Sequence, residues 1–178
     1  NFRKLRQGIG PQYLGLHWHE VGVHFAADAD GLKIGSEIDG AEALLKRWDE
    51  DGFFELAPRR SVGVVSPHAA QVELLQERIR RATDVSTGLR ERVTVAQPDV
   101  FAGRQVDVLI VLPGIATTED GNGPSGPIDD EALFHDALGA ARLGAHVIGN
   151  REACREIGGY AAALAGFCSH EDLPDEDG

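Results

Sequence analysis

A single α/β domain, a parallel sheet wrapped by helices, is the fold class the sequence predicts, and three observations predict it. Strand-like and helix-like segments alternate along most of the chain. The runs "SVGVVS" at 61–66 and "VDVLIVLP" at 106–113 are almost unbroken apolar stretches, as in strands covered on both faces. The chain has 178 residues, 42% hydrophobic and 26% charged. That is the size and composition of one globular domain.

The elements follow in order. "YLGLHWHEVGVHF" (13–25) is aromatic and β-branched and reads as one or two strands. On a strand His17 and His19 share a face and His24 points to the other. No acidic or cysteine partner stands at ligand spacing, so no metal site is expected. Ala41, Leu44, Leu45 and Trp48 follow helical spacing within 36–51, and Gly52 ends that helix. Strand 61–66 leads to Pro67, expected in the first turn of a helix that turns Val72, Leu75, Ile79 and Ala82 inward. "RVTVA" (92–96) is a strand, "QPDVFAGRQ" a turn, and 106–113 the most buried strand.

"GIATTEDGNGPSGPIDD" is too rich in glycine and proline for regular structure. Asp129, Asp130 and Glu131 suit the start of the next helix through the macrodipole. Leu133, Phe134, Ala137, Leu138 and Ala141 form its apolar stripe, and "AHVIG" is the strand after it. A weaker helix, interrupted at Gly158 and Gly159, completes the pattern.

A net charge of −12 disfavours a protein that grips phosphate backbones unaided. Basic residues still cluster at Arg3/Lys4/Arg6, Arg59/Arg60, Arg78/Arg80/Arg81 and Arg90/Arg92, and "EDLPDEDG" is an acidic tail. Cys154 and Cys168 lack ligand spacing and are expected to be buried free thiols in a reducing compartment, which places the protein in the cytoplasm. No apolar run of about 18 residues exists to span a bilayer, and no signal peptide is visible. The start at Asn1 and the lack of methionine point to a piece of a longer chain. Neither a Walker-type phosphate loop nor a Gly-x-Gly-x-x-Gly after a strand is present, and Ser66 lacks the flanking glycines of a nucleophile elbow.

Three segments carry more. "SVGVVSPHAAQVELLQERI" (61–79), "VTVAQPDVFAGRQVDVLIVLP" (93–113) and "ALFHDALGAARLGAHVIGN" (132–150) resemble, in order, the fourth, fifth and sixth motifs of superfamily 1 helicases, in the branch typified by the Upf and Dna helicases. The family patterns look like "IGVITPYxxQ", "VDxFQGREKDVVI" and "NVALTRARxxLIVVGN". "SEIDGAEALLKRW" is similar to the helix that precedes the fourth motif, so the resemblance covers about residues 36–150.

The resemblance implies a second RecA-like domain: a three-layer α/β/α parallel sheet of P-loop NTPase type without its own phosphate loop. It would span 36–168, after a strand-rich lead-in (1–35) and before an acidic tail (169–178). Such motors need a first RecA-like domain for the phosphate loop and the Mg²⁺-binding acids, so ATP and Mg²⁺ are implied only with that partner. The isolated domain is expected to be inactive and to bind single-stranded nucleic acid weakly. Carried over by motif, Gly103, Arg104, Gln105 and Arg142 are the nucleotide-binding positions. Ser66, Pro67, His68, Gln71 and Thr94 are the nucleic-acid-binding ones.

His68 stands where the family usually has tyrosine, and the chain departs from the pattern at three further places. Ala102 replaces a glutamine, and Gln105 a glutamate whose hydrogen bond it could keep without the charge. Ala140 falls where the family has its arginine finger, a group worth ~10³–10⁵ in rate, so arginine restored there is expected to raise the ATPase of a competent parent chain. These losses keep a second reading open, a degenerate domain retained for protein interaction or architecture. An independent small-molecule enzyme is the weakest reading, for no catalytic constellation is visible. Several residues have simpler readings too: Arg142 as a helix-end arginine, Gly103 as a turn glycine, Phe101 as core, His68 as a solvated helix-start residue and His146 as a satisfied buried histidine.

Overall fold

Six strands, all parallel, form the central sheet: β1 (Gly15–Glu20), β4 (Val62–Val65), β5 (Val93–Ala96), β6 (Val106–Val111), β9 (Ala141–Gly149) and β10 (Ser169–Glu171), in the order β10-β1-β9-β6-β4-β5. Two small antiparallel pairs lie apart from it, β2 (Ala26–Asp28) with β3 (Gly31–Lys33) and β7 (Ala116–Thr117) with β8 (Pro124–Ser125). The structure, a computed structural model, describes residues 9–22, 26–28, 31–33, 35–55, 60–117, 124–125 and 131–171. His24, Asp129, Asp130, Arg59, the cluster Arg3/Lys4/Arg6 and the acidic tail beyond Glu171 lie outside the described residues.

Alternation along the strands sorts the core into two layers. On one face Val62, Val64, Val108, Ile110, Leu112 and Ile148 pack under α1 (Gly35–Glu50) and α2 (Ala69–Arg81), which contribute Ile38, Leu44, Trp48, Val72 and Leu75. On the other, Trp18, Val65, Leu109, Val111, Ala145 and Val147 pack against Phe101 and against Ala137, Ala153, Cys154, Leu164 and Ala165. These last five come from α4 (Glu131–Gly139), α5 (Arg151–Ile157) and α6 (Gly159–Phe167). The result is the expected three-layer architecture, its strand order consistent with a RecA-like or P-loop NTPase topology. Both cysteines are free and buried. Among the described residues no helix is long and apolar enough to cross a membrane, and no group of histidine, cysteine or carboxylate side chains could hold a metal ion.

Several details differ from the sequence reading. Pro67 precedes the helix instead of opening it; His68 is the N-cap and Ala69 the first helical residue of α2. A short helix, α3 (Thr87–Arg92), was not expected; Ser86 caps it by accepting the Leu89 N–H at 3.0 Å. The largest correction concerns α4. It stops at Gly139, and Ala141 and Arg142 already belong to β9, because pairing of Ala141 with Val106 prevails over the helix propensity of the alanines. Arg142 is therefore a strand residue and not a helix-end one. The lead-in contributes β1 between β9 and β10, and Ser169–Glu171 forms β10.

His17 and His19 do share a face. His17 stacks on His146 at 4.6 Å between ring centroids, and His19 Nε2 lies 2.9 Å from His146 Nδ1. Trp48 meets the His146 ring edge-on at 4.8 Å. Burial, followed by the charges His19 and His17 would carry, pushes the His146 pKa down, so this histidine is neutral in the fold.

Candidate functional site

A parallel sheet has two chemically distinct ends, and the residues singled out by the motifs divide between them. Ser66, Pro67 and His68 follow β4 at its C-terminal end, with Gln71 in the first turns of α2. Gly103, Arg104 and Gln105 instead immediately precede β6, and Arg142 is the second residue of β9, the strand that pairs with β6 from Val106 and Ala141 onward. The four nucleotide-class positions thus gather at the N-terminal end, and all four are exposed. Thr94 joins neither group. It lies exposed on β5, the edge strand, in a groove of about 410 Å³ lined also by Gln76, Ile79, Arg80, Arg90 and Val93.

The C-terminal end is where doubly wound sheets usually bind ligands, at the crevice where successive connections leave in opposite directions. Here that crevice falls between β4 and β6, and the chain fills it with its own groups. Glu37, in the first turn of α1, is fully buried. Its carboxyl accepts the Gly114 N–H at 3.1 Å, the Ile115 N–H and, at 2.9 Å, the Gln71 side-chain N–H. Backbone N–H groups after β6, of the kind that cradle a phosphate, are thereby already satisfied. Burial pushes the Glu37 pKa up to about 8, against the lowering effect of the bonds from Gln71, Gly114 and Ile115.

His68 closes the other side, its Nε2–H donating to the Gly114 carbonyl at 3.0 Å. Gly114 has φ +67°, and a Cβ there would run into the His68 ring. Ser66 is buried, its hydroxyl accepting the His68 N–H at 3.2 Å. Ser66 and Gln71 are therefore turned inward, while Pro67 and His68 are only half-buried.

The N-terminal end is built differently. Arg104 and Arg142, both exposed, stand at the starts of β6 and β9 in a chain of net charge −12, whereas Arg60, before β4, is buried. Behind them lies one buried carboxylate, Asp107. Its Oδ2 accepts the Ser61 N–H at 2.9 Å and the Ser61 hydroxyl at 3.3 Å, and its Oδ1 faces Arg142 Nη1 at 3.5 Å. A register shift accompanies the pair: Val106 faces Ala141 but Val108 faces Gly144, so Arg142 and Leu143 together oppose Asp107. Such a bulge re-aims the side chain it carries. Asp107 was not a candidate from the sequence, although an acid inside the apolar run "VDVLIVLP" was a legible anomaly.

Three other positions have structural surroundings that account for their residue type. Gly103 has φ +71°, which explains a glycine at that turn without a ligand. Phe101 is core, and a Cβ at Gly63 would come within 2.6 Å of its ring. Ala140 is buried among apolar neighbours, 1% exposed, and its carbonyl accepts the Val106 N–H at 2.9 Å. The position aligned with the arginine finger thus points into the core, where a guanidinium has no place.

The fold is a parallel three-layer α/β domain. A family model described as "AAA domain" matches residues 35–152, about two thirds of the chain, and the chain belongs to that family. In structure it is similar to the C-terminal domain of a possible DNA helicase from Lactobacillus plantarum WCFS1, at 10% identity and a TM-score of 0.50, covering 96% of this chain and 94% of that one. At that identity the likeness speaks to the fold alone. No curated protein matches the chain.

Proposed function

We propose that this chain is the second RecA-like domain of a superfamily 1 helicase-like protein, which contributes to nucleotide and nucleic-acid handling in a longer chain and is inactive alone. The observation that carries the reading is the convergence at one sheet end of Arg104, Gln105 and Arg142, drawn from two motifs far apart in sequence. Exposed guanidiniums at the starts of adjacent strands suit a polyphosphate presented by a facing domain. The first RecA-like domain, with its phosphate loop and Mg²⁺, would be that partner, and the closed C-terminal crevice is what such a division of labour requires. Single-stranded nucleic acid would meet the other end, through the half-buried Pro67 and His68, with Thr94 on the edge strand. The −12 charge argues for weak, salt-sensitive contact there.

The test is nucleic-acid-stimulated ATP hydrolysis by the full-length protein. Arg142→Ala and Arg104→Ala are each expected to lower kcat/KM at least tenfold with unchanged melting temperature. Wild-type rates in both variants would remove the nucleotide from this end of the sheet.

The alternative, a degenerate domain kept for architecture or protein interaction, is favoured by one observation, the burial of Ala140 at the finger position. It expects no hydrolysis by the full-length protein and no effect of either arginine.

A further inference from the structure

We propose that Asp107 is a positioning residue that aims the Arg142 guanidinium across the N-terminal end of the sheet. The inference rests on the reading of Arg142 as a nucleotide contact and extends it to a residue outside the candidate set. The two carboxylate oxygens have separate tasks. Oδ2 is pinned to β4 by the Ser61 N–H and hydroxyl, while Oδ1 is left for Arg142 on β9. Return bonds fix the backbone around it: the Asp107 N–H donates to the Ser61 carbonyl at 3.1 Å, and the Val108 N–H to the same carbonyl at 3.2 Å. The acid is therefore rigid and 7% exposed at its side chain, whereas the arginine is 36% exposed.

One Nη1 contact occupies a small part of a guanidinium that carries five N–H donors, so the fork keeps donors for an anion while its direction is set from behind. The bulge serves the same end. With regular pairing Asp107 would face one residue of β9; the extra residue brings both Arg142 and Leu143 opposite it. Leu143 is buried in the core, and the arginine is left at the rim. Oriented donors of this kind lose less freedom when they meet the ligand than a free arginine would.

Asparagine at 107 separates the two tasks. Its carbonyl oxygen can still accept from Ser61, while its NH₂ faces the guanidinium donor to donor. The experiment is a double-mutant cycle on ATP hydrolysis by the full-length protein: wild type, Asp107→Asn, Arg142→Ala and the double variant. Asp107→Asn is expected to lower kcat/KM about three- to tenfold, and the double variant to match Arg142→Ala alone. A purely structural role for the acid predicts instead that its loss multiplies with that of Arg142→Ala, which would overturn the proposal. So would wild-type activity in Asp107→Asn alongside an impaired Arg142→Ala. An Arg142→Ala protein at wild-type rates would refute the nucleotide reading itself, a distinct result. Should the asparagine variant fail to fold, Asp107→Glu carries the same cycle, for it keeps the charge and displaces it by one methylene.

Discussion

The two ends of the sheet are built from similar material and reach opposite states. At each, a buried carboxylate accepts backbone and side-chain N–H groups from neighbouring elements. Glu37 faces inward, and His68, Gln71 and Gly114 shut the crevice over it. Asp107 stands behind a rim of exposed arginine and glutamine. The contrast teaches that a parallel sheet without a phosphate loop can close its usual ligand crevice with its own acid and leave exposed guanidiniums and an amide at the other end.

Ways to break that contrast differ in size. The largest effect on stability is expected from Ala140→Arg. A charge forced into the apolar layer without a partner costs on the order of 3–5 kcal/mol, and thermal unfolding of the isolated domain should show a fall of about 10 °C or more. Restoration of activity, the outcome suggested by motif alignment alone, would instead mean that position 140 reaches the surface when the full chain is assembled.

Next comes the pH dependence of the closed end. A carboxyl raised to about 8 in the fold keeps its proton where the unfolded chain has released it. Its contribution is fully present below about pH 4.5, declines as pH rises, and is lost above about pH 8. Urea titrations from pH 6.5 to 9 should show this decline in the wild type and little of it in Glu37→Gln. A neutral amide can use the Gln71 side-chain oxygen, which is buried and otherwise without a partner. Below that range the slope flattens, because His146 is neutral in the fold and takes up a proton on unfolding as pH falls through its ordinary 6.5, which offsets the proton that Glu37 keeps in the fold. Parallel slopes in wild type and Glu37→Gln would show that the acid is ionised when buried.

Gly114→Ala should cost roughly 1–3 kcal/mol, from a positive φ and contact with the His68 ring. Any basal hydrolysis per folded molecule, measured without nucleic acid, should be unchanged. Smallest in stability, within about 0.5 kcal/mol, is Arg142→Ala, since the pair it breaks is partly exposed on one side. Its effect is expected in activity instead, and the two variants together set the closed end of the sheet against the end proposed to meet nucleotide.

Much of this was legible in the sequence. The apolar runs of β4 and β6 and the period of α1 specify their elements directly, because burial on both faces or on one stripe leaves a pattern in the residues themselves. The motif order also picked out the residues that meet before β6 and in β9. What the sequence did not disclose depends on tertiary contact. Ala140 and Ala141 read as helix, and only pairing with β6 makes the first a turn residue and the second the start of a strand. Gln71 and Ser66 read as contact residues, and their inward turn depends on Glu37 and His68, which come from other elements. No motif marks Asp107, because its contacts with Ser61 and Arg142 exist only once β4, β6 and β9 are brought together.

The central claim is that nucleotide meets the starts of β6 and β9 and not the crevice after β4. Amide hydrogen exchange on the full-length protein, with and without ATP and Mg²⁺, tests it most directly. Added protection at Arg104–Asp107 and Ala141–Leu143, with Gly114 and Ile115 unchanged, is the predicted result. Protection that rises at Ser66–His68 and Gly114 while the strand starts stay unchanged would contradict it.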